Sequence, residues 1–399
     1  MSSHRTDPSP FLTALALSLG AAISLGMSRF SYALLLPPMR ADLGWSYLLA
    51  GAMNTANALG YLIGALATPT LMRRFGAQKL LIGGALCTAL FMLLSGLVTA
   101  ASLLLVQRTL AGIASALIFI AGGVLAARLG ALHPRRAGLL IGIYYSGTGL
   151  GIVVAALLVP ATQVFSAGAA HGWQSAWLAL GAACLLATAA MATRAQRVDG
   201  ASAPPTAQDR FAWRDFRFGL AGYFMFGVGY IGYMTFVVAL LREQGMRAAL
   251  ITAFYTALGV AVMASSRIWA GLLDRFKGGQ AMALLNGLLA VAIILPAVTA
   301  QPVLVFFSGL LFGAVFLSVV ASTTALVRHN APAPAWTAGI GAFTTVFALG
   351  QIVGPSVVGW IADGAGGLQR GLVFSALALL IGAFLASRQP ALPTTVIAR

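Results

Sequence analysis

The chain has 399 residues, is 60% hydrophobic and only 8% charged, and carries a formal net charge of +16. A soluble domain carries about a quarter charged residues, so this composition excludes an ordinary soluble enzyme or binding domain. The cations are scattered over many short loops and form no separate basic domain, which argues against a nucleic-acid-binding protein.

Apolar runs of roughly 20 residues, bounded by Arg, Pro, Gly or Asp, read as transmembrane helices. Six are predicted in the first half: Leu12 to Leu36, Tyr47 to Thr68, Leu80 to Thr99, Leu103 to Leu129, Ala137 to Pro160 and Trp173 to Thr193. Six more follow: Phe218 to Leu241, Leu250 to Leu273, Ala281 to Ala300, Val303 to Val327, Trp336 to Ala362 and Gly371 to Ala386. Pro37, Pro38, Pro134, Pro160, Pro302, Pro332 and Pro334 are expected at helix termini. The first run is too long for a signal-peptide core, so it reads as a retained span.

The longest polar break runs from Arg194 to Arg217 and contains Gly200, Pro204 and Pro205. It divides the chain into an N-terminal six-helix bundle (1–197), a linker (198–213) and a C-terminal six-helix bundle (214–399). Most of the basic residues, including Arg73, Arg74, Lys79, Arg135, Arg136, Arg275 and Arg328, fall on the side of the termini and linker. Arg40, Arg242, Arg247 and Arg370 fall opposite. The positive-inside rule then predicts a multi-pass protein of a bacterial inner (plasma) membrane with both termini cytoplasmic.

The halves repeat at a shift of about 200 residues, as expected of a duplicated carrier. Gly26, Tyr32 and Gly44 fall on Gly227, Tyr233 and Gly245, and Ala58-Leu59-Gly60 on Ala257-Leu258-Gly259. Gly112 meets Gly313, and Leu150-Gly151 meets Leu349-Gly350. The expected fold is an all-α membrane protein of 12 transmembrane helices in two pseudo-symmetric bundles.

Several segments resemble the major facilitator superfamily, and within it the YbfB/YjiJ-like branch. They are Gly26-Met27-Ser28-Arg29-Phe30-Ser31-Tyr32 with Leu36-Pro37, Asn57-Ala58-Leu59-Gly60-Tyr61-Leu62-Ile63-Gly64, and Gly350-Gln351-Ile352-Val353-Gly354-Pro355. The superfamily's loop motif is degenerate in Arg73-Arg74-Phe75-Gly76, which has no Asp, and fuller in Gly271-Leu272-Leu273-Asp274-Arg275-Phe276. Arg108-Thr109-Leu110-Ala111-Gly112 fits the fourth-span arginine motif, whereas Gly147-Thr148-Gly149-Leu150-Gly151 lacks the Gly-Pro of the antiporter motif. The resemblance implies a secondary transporter working by alternating access.

Polar groups inside spans are costly in lipid and mark functional sites. Arg29 and Arg108 are expected to share a depth roughly 8–10 Å below the outer ends of their spans, from the helical rise. Each could instead snorkel to the interface or cap a carbonyl. Unpaired by any acid, a guanidinium fork suits a carboxylate. The candidate substrate contacts are Arg29, Tyr32, Asn57, Arg108, Tyr145, Tyr230 and Gln351. Arg267, Asp274 and Arg275 read as a cytoplasmic gate cluster, the alternative being a solvated pair of little weight. The acids all lie at span ends or in loops, which favours an organic anion such as a small carboxylate over a cation. The rival reading is a proton-coupled exporter of hydrophobic drugs or metabolites, with a sensor or membrane enzyme as remoter alternatives. The His residues and Cys87 and Cys184 have no metal or catalytic spacing, so no metal, cofactor or enzymatic activity is expected. The expected partners are a small-molecule substrate and the lipid bilayer, with a monomer as the working unit.

Overall fold

The computed structural model describes residues 9–166, 168–195 and 211–392. The greater part of the linker reading lies outside the described residues. In lipid the backbone must satisfy its own hydrogen bonds, and apolar runs of this length do so as helices. Twelve long helical segments follow: α1 (Pro10–Leu43), α2 (Tyr47–Phe75), α3 (Ala77–Ser95), α4 (Ala101–Leu132), α5 (Ala137–Phe165) and α6 (Trp173–Ala195), then α7 (Arg217–Glu243), α8 (Ala248–Ile268), α9 (Gln280–Val298), α10 (Pro302–Asn330), α11 (Trp336–Ala362) and α12 (Gly367–Ser387). Eleven are long and apolar enough to cross a membrane. The other, α2, is more polar: it carries Asn54, Thr55, Asn57 and Thr68, three of them buried.

The helix α1 differs from expectation. Pro37 and Pro38 do not end it; the helix runs through both to Leu43 and stops at Gly44, whose φ of 65° is left-handed. Its middle, Ala22–Phe30, is π-helical, and the Ser31 N–H bonds back to the Gly26 carbonyl at 3.1 Å. Within this stretch Ser31 Oγ donates back to the Met27 carbonyl, four residues earlier. Pro160 is likewise inside α5, not at its end. Pro302 opens α10, where its missing N–H costs nothing. The eighth predicted span breaks at Trp269, and a short helix, Ala270–Arg275, completes it.

The bundles meet where α2 packs on α11, α5 on α8 and α1 on α7. Close approach needs glycine: a β-carbon on Gly51 of α2 would lie 2.2 Å from the Pro355 carbonyl oxygen of α11. The hydrogen bonds that join the bundles use Phe30, Tyr47, Leu48, Asn54 and Thr55 from the first bundle, all in the half remote from the linker. The Asp363 carboxylate accepts from the Tyr47 and Leu48 N–H groups at 2.7 and 2.8 Å, capping the N-terminus of α2. The Tyr47 hydroxyl donates to Glu243, and Arg40 lies 3.7 Å over the Tyr47 ring. Thr55 Oγ1 donates to the Ile352 carbonyl at 2.8 Å and sits 2.8 Å from Ser356 Oγ. Tyr255 donates to the Phe30 carbonyl at 2.7 Å. These bonds pin the two bundles together at the remote end.

Candidate functional site

The π-helical stretch of α1 carries Ser28, Arg29 and Phe30 towards the bundle interface. Arg29 is 2% exposed. Its Nε and Nη2 are buried with no hydrogen-bond partner, and its guanidinium lies 5.8 Å over the Tyr61 ring. It is within electrostatic reach of Tyr61 from the first bundle and Tyr230 from the second. No acid among the described residues pairs with it. A buried charge without a partner carries a penalty of several kcal/mol, and one is kept where function needs it.

Arg108 of α4 reaches the same turn of α1, bonding to the residue before Arg29. Its environment is different. Nη1 donates to the Ser28 carbonyl at 2.8 Å and Nη2 to Asn54 Oδ1 at 2.8 Å. Asn54 Nδ2 then donates to Thr235 Oγ1 of the second bundle at 2.7 Å. Arg108 is thus a strut: it fixes the π-turn that carries Arg29 and reaches the opposite bundle through one amide. The crossing of α2 and α4 that sets this up is very tight, since a β-carbon on Gly112 would lie 2.1 Å from the Asn57 carbonyl oxygen. At the same crossing Asn57 Nδ2 donates to the Arg108 carbonyl at 3.1 Å and leaves its Oδ1 buried and unpaired.

The other predicted contacts divide. The Tyr32 hydroxyl is committed to the Ala50 carbonyl at 2.9 Å, which ties α1 to α2, and the ring lies 5.0 Å under Arg108. Tyr230 donates to Gln351 Oε1 at 2.7 Å, and Gln351 Nε2 is left buried without an acceptor. Tyr145 is 37% exposed, its hydroxyl makes no hydrogen bond among the described residues, and its ring packs on Phe119 and Tyr144. The structure therefore gathers Arg29, Tyr61 and Tyr230, with Gln351 on Tyr230 and Arg108 and Asn57 behind Arg29.

Tyr61 was not singled out by the sequence reasoning, although it lies inside the quoted Asn57–Gly64 stretch, one helical turn after Asn57. The aromatic assembly of the second bundle was also missed. Tyr223, Phe226 and Tyr230 of α7 stack on Phe347 of α11 and, through Tyr230, on Phe316 of α10. Its signal was present as aromatics three and four residues apart on α7, α10 and α11.

Arg267, Asp274 and Arg275 lie near the linker-side end of α8 and the short helix after it, and all three are exposed. Among the described residues no ion pair or hydrogen bond joins them. Arg275 instead lies 5.7 Å over the Phe276 ring. Cys184 is buried and Cys87 exposed in separate helices, and no group of three or more His, Cys, Asp or Glu side chains that could hold a metal is found among the described residues.

Two six-helix bundles around polar groups buried at their interface define a transporter of the major facilitator type, not an enzyme. The sequence profile described as "Uncharacterised MFS-type transporter YbfB" matches residues 21–387, and the chain belongs to that family. No curated protein matches by sequence. Among solved structures, the fold is similar to a bacterial homologue of the human lysosomal transporter Spinster in an inward-facing, unoccupied conformation, with 15% identity and a TM-score of 0.71 over 96% of this chain and 97% of that one. The same protein in an inward-facing, occupied conformation gives 15% identity and a TM-score of 0.73 over 96% of this chain and 98% of that one. The nucleoside transporter NupG gives 14% identity and a TM-score of 0.71 over 95% of this chain and 98% of that one. At these identities the likeness is one of fold.

Proposed function

We propose that the chain carries a small organic anion, such as a carboxylate, across the bacterial inner membrane by alternating access, with both termini cytoplasmic. The observation that supports this most directly is Arg29: a guanidinium buried at the bundle interface, with Nε and Nη2 unpaired. Two buried cations side by side, with the described acids at helix ends or in loops, attract an anion and repel a cation. A carboxylate accepting from the Arg29 fork would gain two parallel charge-assisted bonds. Asn57 Oδ1, Tyr145 and Gln351 Nε2 would contact the rest of the molecule.

The arginine asymmetry supports placing the linker side in the cytoplasm. The conformation pinned at the remote half is then the inward-open one. On this reading Arg267, Asp274 and Arg275 belong to a gate that is apart here and closes when the remote seam opens.

The test is a thermal-shift panel on the purified protein, with small carboxylates against lipophilic cations and neutral sugars. Ligands that bind only the folded state raise its melting temperature with concentration. Carboxylates should shift wild type and fail to shift Arg29→Ala. Stabilisation by lipophilic cations alone would favour the drug-export reading and sink the anion one.

A further inference from the structure

Arg29 sits between two groups of aromatic rings, one from each bundle. On the first-bundle side Tyr61 lies against the guanidinium and within electrostatic reach of Tyr145. On the second-bundle side Tyr230 stacks on Phe226 at 4.8 Å and 19°, on Phe347 at 5.6 Å and 21°, and on Phe316 at 5.9 Å and 8°. Phe226 and Phe347 stack at 5.4 Å and 12°. The assembly reaches the seam between bundles, because Phe30, next to Arg29 in sequence, meets Phe316 edge-on at 5.8 Å and 89°.

The near-parallel orientation carries the argument. Core aromatics settle in both edge-on and offset-stacked pairs, and the first-bundle cluster of Phe119, Tyr144 and Tyr145 shows the mixed angles, 42° to 71°. Around Tyr230 the rings instead share one plane direction, and a further flat ring would join them at Phe347, the member that is not fully buried, where a saturated ring of the same outline would not stack. The polar groups that flank this stack are buried and incompletely paired: the Arg29 donors on one side and Gln351 Nε2, reached through Tyr230, on the other.

We infer that the transported anion is aromatic: a planar ring bearing a carboxylate, with the ring stacked in the Tyr230–Phe347 group and the carboxylate on the Arg29 fork. This rests on the anion reading above and narrows it. Tyr145, exposed and with its hydroxyl unpaired among the described residues, would meet a polar substituent on the ring.

The experiment is isothermal titration of the purified full-length protein with benzoate, cyclohexanecarboxylate and benzamide. Benzoate and cyclohexanecarboxylate share charge and ring size and differ in flatness; benzamide keeps the flat ring and loses the charge. Benzoate should bind about tenfold more tightly than cyclohexanecarboxylate, the size of one or two ring-stacking contacts. Phe347→Leu should bring that ratio close to one by weakening benzoate more than cyclohexanecarboxylate. Tyr230→Leu should do the same, and either variant serves if the other does not fold. Equal affinity for the two acids in wild type would overturn the aromatic assignment and leave the anion reading standing. Binding of benzamide with neither acid would overturn the anion reading itself, and binding of none of the three would overturn the aromatic assignment.

Discussion

Gly51→Ala should selectively disfavour the conformation described here. A β-carbon at Gly51 would stand 2.2 Å from the Pro355 carbonyl oxygen and 2.8 Å from its carbon, where contacts under 3.0 Å are essentially never seen. The obstacle is backbone, so no rotamer change relieves it, and to bring the 2.2 Å contact to an ordinary distance α2 and α11 must separate by about 1 Å at that point. The same separation strains the bonds from Tyr47 and Leu48 to Asp363, now 2.7 and 2.8 Å, and the Asn54–Thr235 bond of 2.7 Å. Overpacking of this kind costs about 1–3 kcal/mol. With the remote seam open the methyl group meets no such barrier, so the cost falls on one state, and the population should move by about 5- to 150-fold. The assay is the distance between spin labels at Ala41→Cys and Ala365→Cys, both exposed at the remote end, in a background with Cys87 and Cys184 replaced. A longer distance should gain population in Gly51→Ala. An unchanged distribution would refute the claim that this seam holds the bundles closed.

Other outcomes follow from the same geometry. Tyr32→Phe removes one buried hydrogen bond, worth about 1 kcal/mol, and should lower the melting temperature by a few degrees while leaving anion affinity within about twofold. Arg108→Lys cannot hold both the Ser28 carbonyl and Asn54 Oδ1; losing one bond to a charged group should cost about 1.5–3 kcal/mol of stability, read by thermal unfolding. Asp363→Ala removes the cap on α2 from the opposite bundle and should lengthen the Ala41–Ala365 label distance in the direction of Gly51→Ala. Cysteines at Ser3, Ala203 and Pro393 should react with an impermeant maleimide only after the cells are opened, and labelling in intact cells would reverse the proposed orientation.

The helices were legible because lipid admits so few backbone solutions: an apolar run long enough to cross has to be helical. The repeat marked Gly60 and Gly112, and the structure brings both to the crossing of α2 and α4. The extent of α1 was not legible, because Pro37 and Pro38 are read as stops by rules from water-exposed helices, whereas a helix in lipid, packed among neighbouring helices, continues through them. Arg29 and Arg108 could be singled out as intramembrane cations and placed near the same depth. Their different bonding could not be read, because it depends on Asn54 choosing Arg108 on one side and Thr235 on the other. The role of Asp363 in the remote seam was hidden for a similar reason: it joins residues 316 positions apart.

The most direct test of the account is carboxylate counterflow in proteoliposomes, comparing wild type with Arg29→Lys and Arg29→Ala. The account predicts uptake of labelled benzoate by wild type, driven by unlabelled benzoate inside. Uptake should be weaker in Arg29→Lys, which keeps the charge and loses the fork, and absent in Arg29→Ala although the protein remains folded. Counterflow by Arg29→Ala at the wild-type rate would contradict the central claim and return Arg29 to a structural role.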